Sequence, residues 1–415
     1  MATLSFQLTN NTDSNDVYAY ITGSALDSNN ALFLLQSDGK TGYYPDSPST
    51  SLSALAQDCA IKLGSPGNSI SVTIPHLAGA RLWFIRDSQL TFYLNSGPAL
   101  VEPSSSNPSD PNYNLCWDFC EFTWNSSQLF ANITYVDFVS LPISLRLTNG
   151  SGNSKIVSGL PKDGLNTICT ALQSQNSQDN SGWDKLIITQ NGNTLRAVSP
   201  NTGITLNSSL FNGYYDSYVN QVWSTYTNNT ISVDTQGSAG IIQGSVASNQ
   251  LVFSSDQNIT YDKPSSADIF SNSSGAFAVS GNSVKDAITA RLAAAFNRST
   301  LLTNSNQPDG ESVSSYYQNS TTNHYSRICH NTTLNGQGYA FPYDDVSPSD
   351  SQNVSGSVFD SNPTLLIVTV GGPSNDTTET AKSQENASLP PKNRNKGVVF
   401  QRVRRLMRRT FSSNN

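Results

Sequence analysis

The chain has 415 residues, of which 36% are hydrophobic and 13% charged, and a formal net charge of −7; that length allows two or three domains, or one large domain carrying an insertion. So few charges lack the signature of a disordered chain, and the excess of Ser, Asn, Thr and Gly suits a β-rich protein with many turns. Nine basic and three acidic residues over 376–415 make that tail +6 and leave −13 on the body, which argues against nucleic-acid binding through phosphates and suits a neutral polymer such as a polysaccharide.

Residues 1–150 read as short strands separated by Pro, Ser and Asn. Leu4–Leu8 and Val17–Ile21 are short alternating runs, Ser69–Ile74 and Arg81–Ile85 follow as further strands, and Asp87-Ser88 predicts a hairpin into Leu90–Leu94. Such spacing suggests a sandwich or barrel. Over 151–334 the texture becomes mixed α/β. Leu165, Ile168, Cys169 and Leu172 have helical spacing, as do Leu210, Tyr214, Tyr218 and Val222. A helix over Val284–Phe296 is predicted with Ser283 as N-cap and Asp286 completing an acidic capping box. Leu186–Thr189 and Leu251–Phe253 read as strands between these helices. Residues 335–372 return to β, with strands at Gly338–Phe341 and at Thr364–Val370; the second is apolar throughout and belongs in a core. The order predicts a mainly β protein: a β domain (1–150 and 335–372) interrupted by an inserted α/β domain (151–334). A disordered basic tail follows over 373–415.

Five cysteines (Cys59, Cys116, Cys120, Cys169 and Cys329) are too few for a disulfide framework, and no pairing follows from them. No apolar run reaches the ~18 residues of a spanning helix. The opening Met1–Gln7 has neither the basic nor the apolar region of a secretory leader. Sequons at Asn125, Asn132, Asn207, Asn258, Asn272, Asn297, Asn319, Asn331 and Asn353 nevertheless suit an extracellular or cell-wall protein whose leader is trimmed or whose start is mis-assigned.

The candidate chemistry lies in Trp117-Asp118-Phe119-Cys120-Glu121-Phe122-Thr123-Trp124-Asn125. Read as a strand, this segment puts Glu121, Thr123 and Asn125 on one face, an acid, a hydroxyl and an amide suited to sugar hydroxyls. Sixteen residues on, Asp137 interrupts the apolar run Ile133–Val139. A carboxylate there is costly unless it meets water, a partner or a ligand. The interval fits a turn and an adjacent strand, so both acids can face one cleft. Two carboxyls are what glycoside hydrolysis uses. The alternative is two surface acids or a structural salt bridge.

The stretch Asn107–Asn112, the segment Trp117–Thr123 and the run Asn132–Pro142 together resemble glycoside hydrolase family 64, the laminaripentaose-producing β-1,3-glucanases of the thaumatin-like superfamily. Gly338–Val346 resembles the late segment of thaumatin-like proteins. The resemblance covers about residues 1–372. It implies a thaumatin-like β-barrel and an α/β domain with a wide groove between them, and an endo-acting, inverting hydrolase with Glu121 as general acid and Asp137 as general base. Thr123 and Asn125 fall on sugar-binding positions, and Asp110, Arg196, Asp344 and Asp345 on further polar positions of the groove. The implied partner is β-1,3-glucan, met by a monomer without metal or cofactor. A non-catalytic thaumatin-like protein that binds glucan is the competing reading; the large insertion and the low cysteine count favour the enzyme.

Among aromatics, Phe130, Trp124 and Trp223 are candidates to stack on glucose rings, or else core residues. His324, Cys329 and His330 match no standard zinc spacing. The tail segment Lys396–Arg409 is either a basic amphipathic helix that touches a membrane or wall surface or a solvated extension.

Overall fold

The computed structural model describes residues 2–254, 259–349 and 354–373; the basic tail and the sequons at Asn258 and Asn353 lie outside them. Among the described residues strand outnumbers helix, 33% against 22%, so the fold is mainly β. Among the described residues no helix is long and apolar enough to cross a membrane.

Two sheets form the β layers. The first orders its strands as Ser154–Val157, Ile143–Asn149, Pro363–Val370, Leu4–Asn10 and Ser69–Ile74. Leu4–Asn10 runs parallel to Pro363–Val370, so the two ends of the described chain pair in register. The change of texture read at residue 151 falls in the turn between Ile143–Asn149 and Ser154–Val157, which pair antiparallel here. The second sheet runs Ser357–Asp360, Leu129–Ile133, Cys116–Trp124, Leu77–Arg86, Val17–Ala25, Ala31–Leu35 and Gly42–Tyr43, with Ile61–Lys62 beside Val17–Ala25. Leu4, Phe6 and Leu8 alternate with the more exposed Ser5, Gln7 and Thr9, as a period of two requires when one face is buried. Phe6 meets Phe122 edge-on at 5.0 Å, which locks the two sheets face to face.

The remaining elements are mixed. Phe138–Val139 pairs with Asn193–Val198 and that with Ile187–Gln190, while a five-stranded sheet spans Ile231–Gln307. Helices at Gly164–Asp179, Asp216–Asn228, Ser283–Arg298 and His324–Thr332 surround these strands. The first buries Ile168, Cys169 and Leu172, as its spacing predicts.

Four local expectations are corrected. Leu90–Leu94 does not fold back on Leu77–Arg86, because both edges of that strand are already taken by Val17–Ala25 and Cys116–Trp124. Tyr93–Asn95 pairs instead with Ala99–Val101 and Ser53–Ala54. The helix read from Leu210 begins at Asp216, since Phe211 and Gly213 take left-handed backbone angles (φ 59° and 73°) that break it. The helix at Ser283–Arg298 is capped by Asn282, whose side chain accepts from the Val284 and Lys285 N–H groups. Asp286 accepts from Ser280 instead, and a capping box occurs at Ser265 and Asp268. Gly338–Phe341 forms one bridge, Tyr339 to Thr134, rather than a strand, because the Ala340 N–H turns to the Asp344 carboxylate.

Candidate active site

Strand Cys116–Trp124 is buried on both faces through Trp117–Cys120 and then alternates, with Glu121 and Thr123 half-buried and Phe122 and Trp124 in the core. The open face of the second sheet therefore begins at Glu121. Register fixes what stands beside it. Glu121 lies opposite Arg81 on one neighbour and Asn132 on the other, and the row extends to Thr22 and Ser357. Directly opposed residues share a face, so five polar side chains cross five strands in one line. On one side lies the buried aromatic row Tyr20, Trp83 and Phe119. On the other, Thr123 stands opposite Phe130.

Arg81 organises this row. Its Nη1 lies 2.6 Å from Glu102 Oε2 and its Nε 3.4 Å from Glu121 Oε1. The guanidinium rests on Phe119 at 4.6 Å and Trp83 at 5.4 Å. The Arg81, Glu102 and Glu121 side chains are only 16–20% exposed, so water screens their charges weakly. Desolvation works against the Arg81 charge, but Glu102, Glu121 and Asp137 outweigh it and raise its pKa.

Asp137 follows the Leu129–Ile133 strand and lies in the crossover to Phe138–Val139, not within a continuous strand. The crossover is braced on several sides. The Tyr135 N–H donates to the Tyr339 carbonyl (2.7 Å), and the Tyr325 hydroxyl to the Tyr135 carbonyl (2.7 Å). The Ser199 N–H donates to the Asp137 carbonyl (2.8 Å). Asp118, on the core face of the Glu121 strand, accepts from the Ser140 and Leu141 N–H groups (2.8 and 3.0 Å). The strand that carries Glu121 thus ties down the chain just past Asp137.

Burial pushes the Glu121 carboxyl above the usual range; Arg81 pulls it down, the Asp137 charge pushes it up, and a hydrogen bond with Asn132 lowers it. Burial also raises Asp137, against Arg81. Glu121 therefore senses Asp137, and both sense one guanidinium. Carboxyls raised in this way hold a proton closer to neutral pH, which suits one of them to donate it and the other to accept one.

The other sequence-derived site residues are dispersed. Thr123 shares the open face and accepts from the Gly79 N–H (3.3 Å). Phe130 is half-buried beside it. Asn125 lies past the strand end, where its Oδ1 closes the turn by accepting from Ser127 and Gln128. Asp110 shapes its own loop by binding Asn112, which in turn holds Thr91. Arg196 is fully buried among Tyr113, Trp117 and Phe138 and donates to the Leu115 carbonyl (2.6 Å), so it packs over the buried end of the face that carries Glu121. Asp344 is also fully buried, held by Arg298 (3.0 Å) and His330 (2.8 Å); Asp345, next to it, is half-buried. Trp124 and Trp223 are core residues. All five cysteines are free.

Arg81, Glu102 and Asn132 were not among the sequence candidates. Arg81 carried a signal, a charge set before the apolar run Leu82–Ile85. Asn132 carried only its place in a sequon, and Glu102, in a short polar stretch, carried none.

The model of the beta-1,3-glucanase family, glycoside hydrolase 64, matches residues 2–370. A glucan endo-1,3-beta-glucosidase of Arthrobacter sp. (strain YCWD3) is 30% identical over 306 residues, which is 72% of this chain and 53% of that protein. A glucan endo-1,3-beta-glucosidase of Cellulosimicrobium cellulans matches to the same extent. The chain therefore spans about half the length of these curated relatives. Among solved structures, a laminaripentaose-producing beta-1,3-glucanase in complex with laminaritetraose is similar at TM-score 0.79 and 30% identity, over 89% of this chain and 98% of that one. A beta-1,3-glucanase domain from Clostridium beijerinckii shares the fold at TM-score 0.67 and 22% identity, over 89% of this chain and 98% of that one.

Proposed function

The chain belongs to the glycoside hydrolase 64 family of beta-1,3-glucanases, and from that premise we propose that it hydrolyses β-1,3-glucan internally, with inversion, using Glu121 as general acid and Asp137 as general base. The observation that carries this reading is the polar row centred on Glu121, in which its carboxyl is pushed up by burial and by the Asp137 charge. In the reaction Glu121 gives its proton to the glycosidic oxygen as the C1–O bond breaks. Asp137 takes a proton from a water that attacks C1 from the opposite face. The leaving chain departs with a hydroxyl, and the new reducing end has the opposite anomeric configuration. Arg81, anchored by Glu102, holds Glu121 in place and limits how far both carboxyls rise. Thr123 and Phe130, which stand opposite each other on one side of the Glu121 row, supply a hydroxyl and a ring to a sugar on that side of the cut.

The same reading has the protein release short laminari-oligosaccharides as a monomer. It acts outside the cell, because a polymeric substrate does not cross a membrane. The thaumatin-like description of the β domain and the division into an interrupted β domain and an inserted one belong to this proposal as well.

Digestion of laminarin by the wild type, Glu121→Gln and Asp137→Asn is the test. Wild type is expected to release oligosaccharides with the α-anomer first in proton NMR, and each variant to lose about 10²–10⁴-fold in rate. Binding of laminarin without release by the wild type would replace the enzyme by a non-catalytic glucan-binding protein. A β-anomer appearing first would overturn inversion.

A further inference from the structure

A pocket of about 900 Å³ lies between helices Gly164–Asp179 and His324–Thr332 and the segment 313–320. None of the residues of the polar row lines it. Its volume is near the upper end of small-molecule sites.

The wall is built in advance. The Arg327 Nε donates to His324 Nδ1 (3.0 Å) and its Nη2 to Gln175 Oε1 (2.9 Å). His324 faces the Ser320 carbonyl through Nε2 (3.1 Å), so this imidazole is neutral and donates there; burial, with Arg327 beside it, lowers its pKa to about 4. Gln175 donates to Asp179 Oδ2 (2.8 Å), which also accepts from Trp183 Nε1 (3.0 Å). Arg327 is thus oriented by two neutral acceptors, and among the described residues no carboxylate pairs with it. Tyr317 lines the same pocket with φ at 61°, a left-handed backbone that a residue with a Cβ rarely adopts. Its ring lies 6.0 Å from His330.

The chemistry points to a neutral, hydroxyl-rich ligand. Sugar hydroxyls both donate and accept, as does the exposed Asn331 amide, while Gln318, whose Nε2 holds the Ser314 and Tyr316 carbonyls, presents its amide oxygen as an acceptor. Gln175 bridges Arg327 to the Asp179 carboxylate, and the His330 charge in the lining is met by the buried Asp344 carboxylate, so each of these cations has a carboxylate set against it within the wall. The Tyr317 ring offers an apolar face to sugar C–H groups. We propose that this pocket is a second, non-catalytic carbohydrate site that holds a stretch of β-1,3-glucan chain, an inference that rests on the hydrolase reading above. Two sites on one chain raise the effective concentration of polymer at the cleavage site.

The test uses full-length Glu121→Gln, sedimented with insoluble β-1,3-glucan, against the same protein carrying either Gln318→Ala with Asn331→Ala or Arg327→Met. Gln318 and Asn331 are exposed, so the double variant decides if Arg327→Met fails to fold. Loss of one hydrogen bond is about fivefold in affinity, and at least that loss is expected in each variant. Unchanged sedimentation of the double variant overturns the second site. Hydrolysis of laminarin by the wild type, measured in parallel, keeps the hydrolase reading standing in that case. A parent protein that neither sediments with the glucan nor, as wild type, cleaves laminarin overturns both.

Discussion

Two carboxyls, one on the sheet and one in the crossover after it, and one guanidinium each bias the protonation of the others. Glu121 and Asp137 are raised by burial and lowered by Arg81, while Arg81 is itself engaged by Glu102 at 2.6 Å. The general acid is lost as pH rises through the Glu121 pKa, and the general base as pH falls through that of Asp137. Arg81→Met removes the positive charge that lowers both, so both limbs of the kcat/KM profile are expected to move to higher pH. Glu102→Gln removes a negative charge and frees Arg81 to act on the pair, so the limbs should move to lower pH. Shifts of the same sign in the two variants would show that Arg81 does not tune these carboxyls. Glu121 and Asp137 were legible in the sequence as an acid in a polar strand face and an acid in an apolar run. Arg81 and Glu102 were not assigned, because their importance depends on which strands become neighbours.

At the scale of the element, periodicity identified the strands and helices and missed some of their ends. Leu4–Asn10, Ser69–Ile74 and Gly164–Asp179 bury the residues their spacing predicts. The ends depend on side-chain geometry that spacing does not contain. At the helix Ser283–Arg298 both Asn282 and Ser283 are capping residue types, and only the structure assigns the cap to Asn282. An N-cap Asn replaced by Ala costs ~1 kcal/mol, whereas a change at the exposed Ser283 stays within about 0.5 kcal/mol. Urea unfolding of Asn282→Ala and Ser283→Ala should show that difference; a larger loss at Ser283 would reverse the assignment. Other boundaries moved for the same reason. Left-handed backbone at Phe211 and Gly213 ends the stripe that ran from Leu210, and the strand at Leu77–Arg86 had no free edge for a hairpin partner.

Across the whole molecule, Asp344 joins distant parts of the chain. Its carboxylate binds Arg298 at the end of one helix, His330 on another and the Ala340 N–H of a loop. The His330 Nδ1 faces the Gly336 carbonyl (2.9 Å) and its Nε2 the Asp344 carboxylate, so both ring nitrogens donate and the imidazolium is the form that fits. Burial disfavours that charge and Arg298 repels it, yet Asp344 prevails and the His330 pKa lies above its ordinary 6.5. A cation stabilised in this way adds stability in full below pH 6.5 and loses it as pH rises through the raised value. Asp118, pushed up to about 8 mainly by burial, acts in the same direction between about pH 4 and 8. The melting temperature is therefore expected to fall from mildly acidic to alkaline pH, and His330→Gln should flatten the part above pH 6.5. An equally steep fall in that variant would remove His330 from the account.

The sequence by itself determined the mainly β class and most of the strand positions, which depend on period and composition, and its contiguous motif suggested the two acids of the proposed reaction. It also suggested Asp110, Asn125, Arg196 and Asp344 for the groove, and only the tertiary structure showed their other partners. Asn125 closes a turn, Asp110 shapes a loop, and Arg196 and Asp344 are fully buried. The line Thr22–Arg81–Glu121–Asn132–Ser357 was decided by register alone. Its members come from five strands spread over more than three hundred positions, and the cross-strand hydrogen bonds that align them are fixed only when the sheet forms.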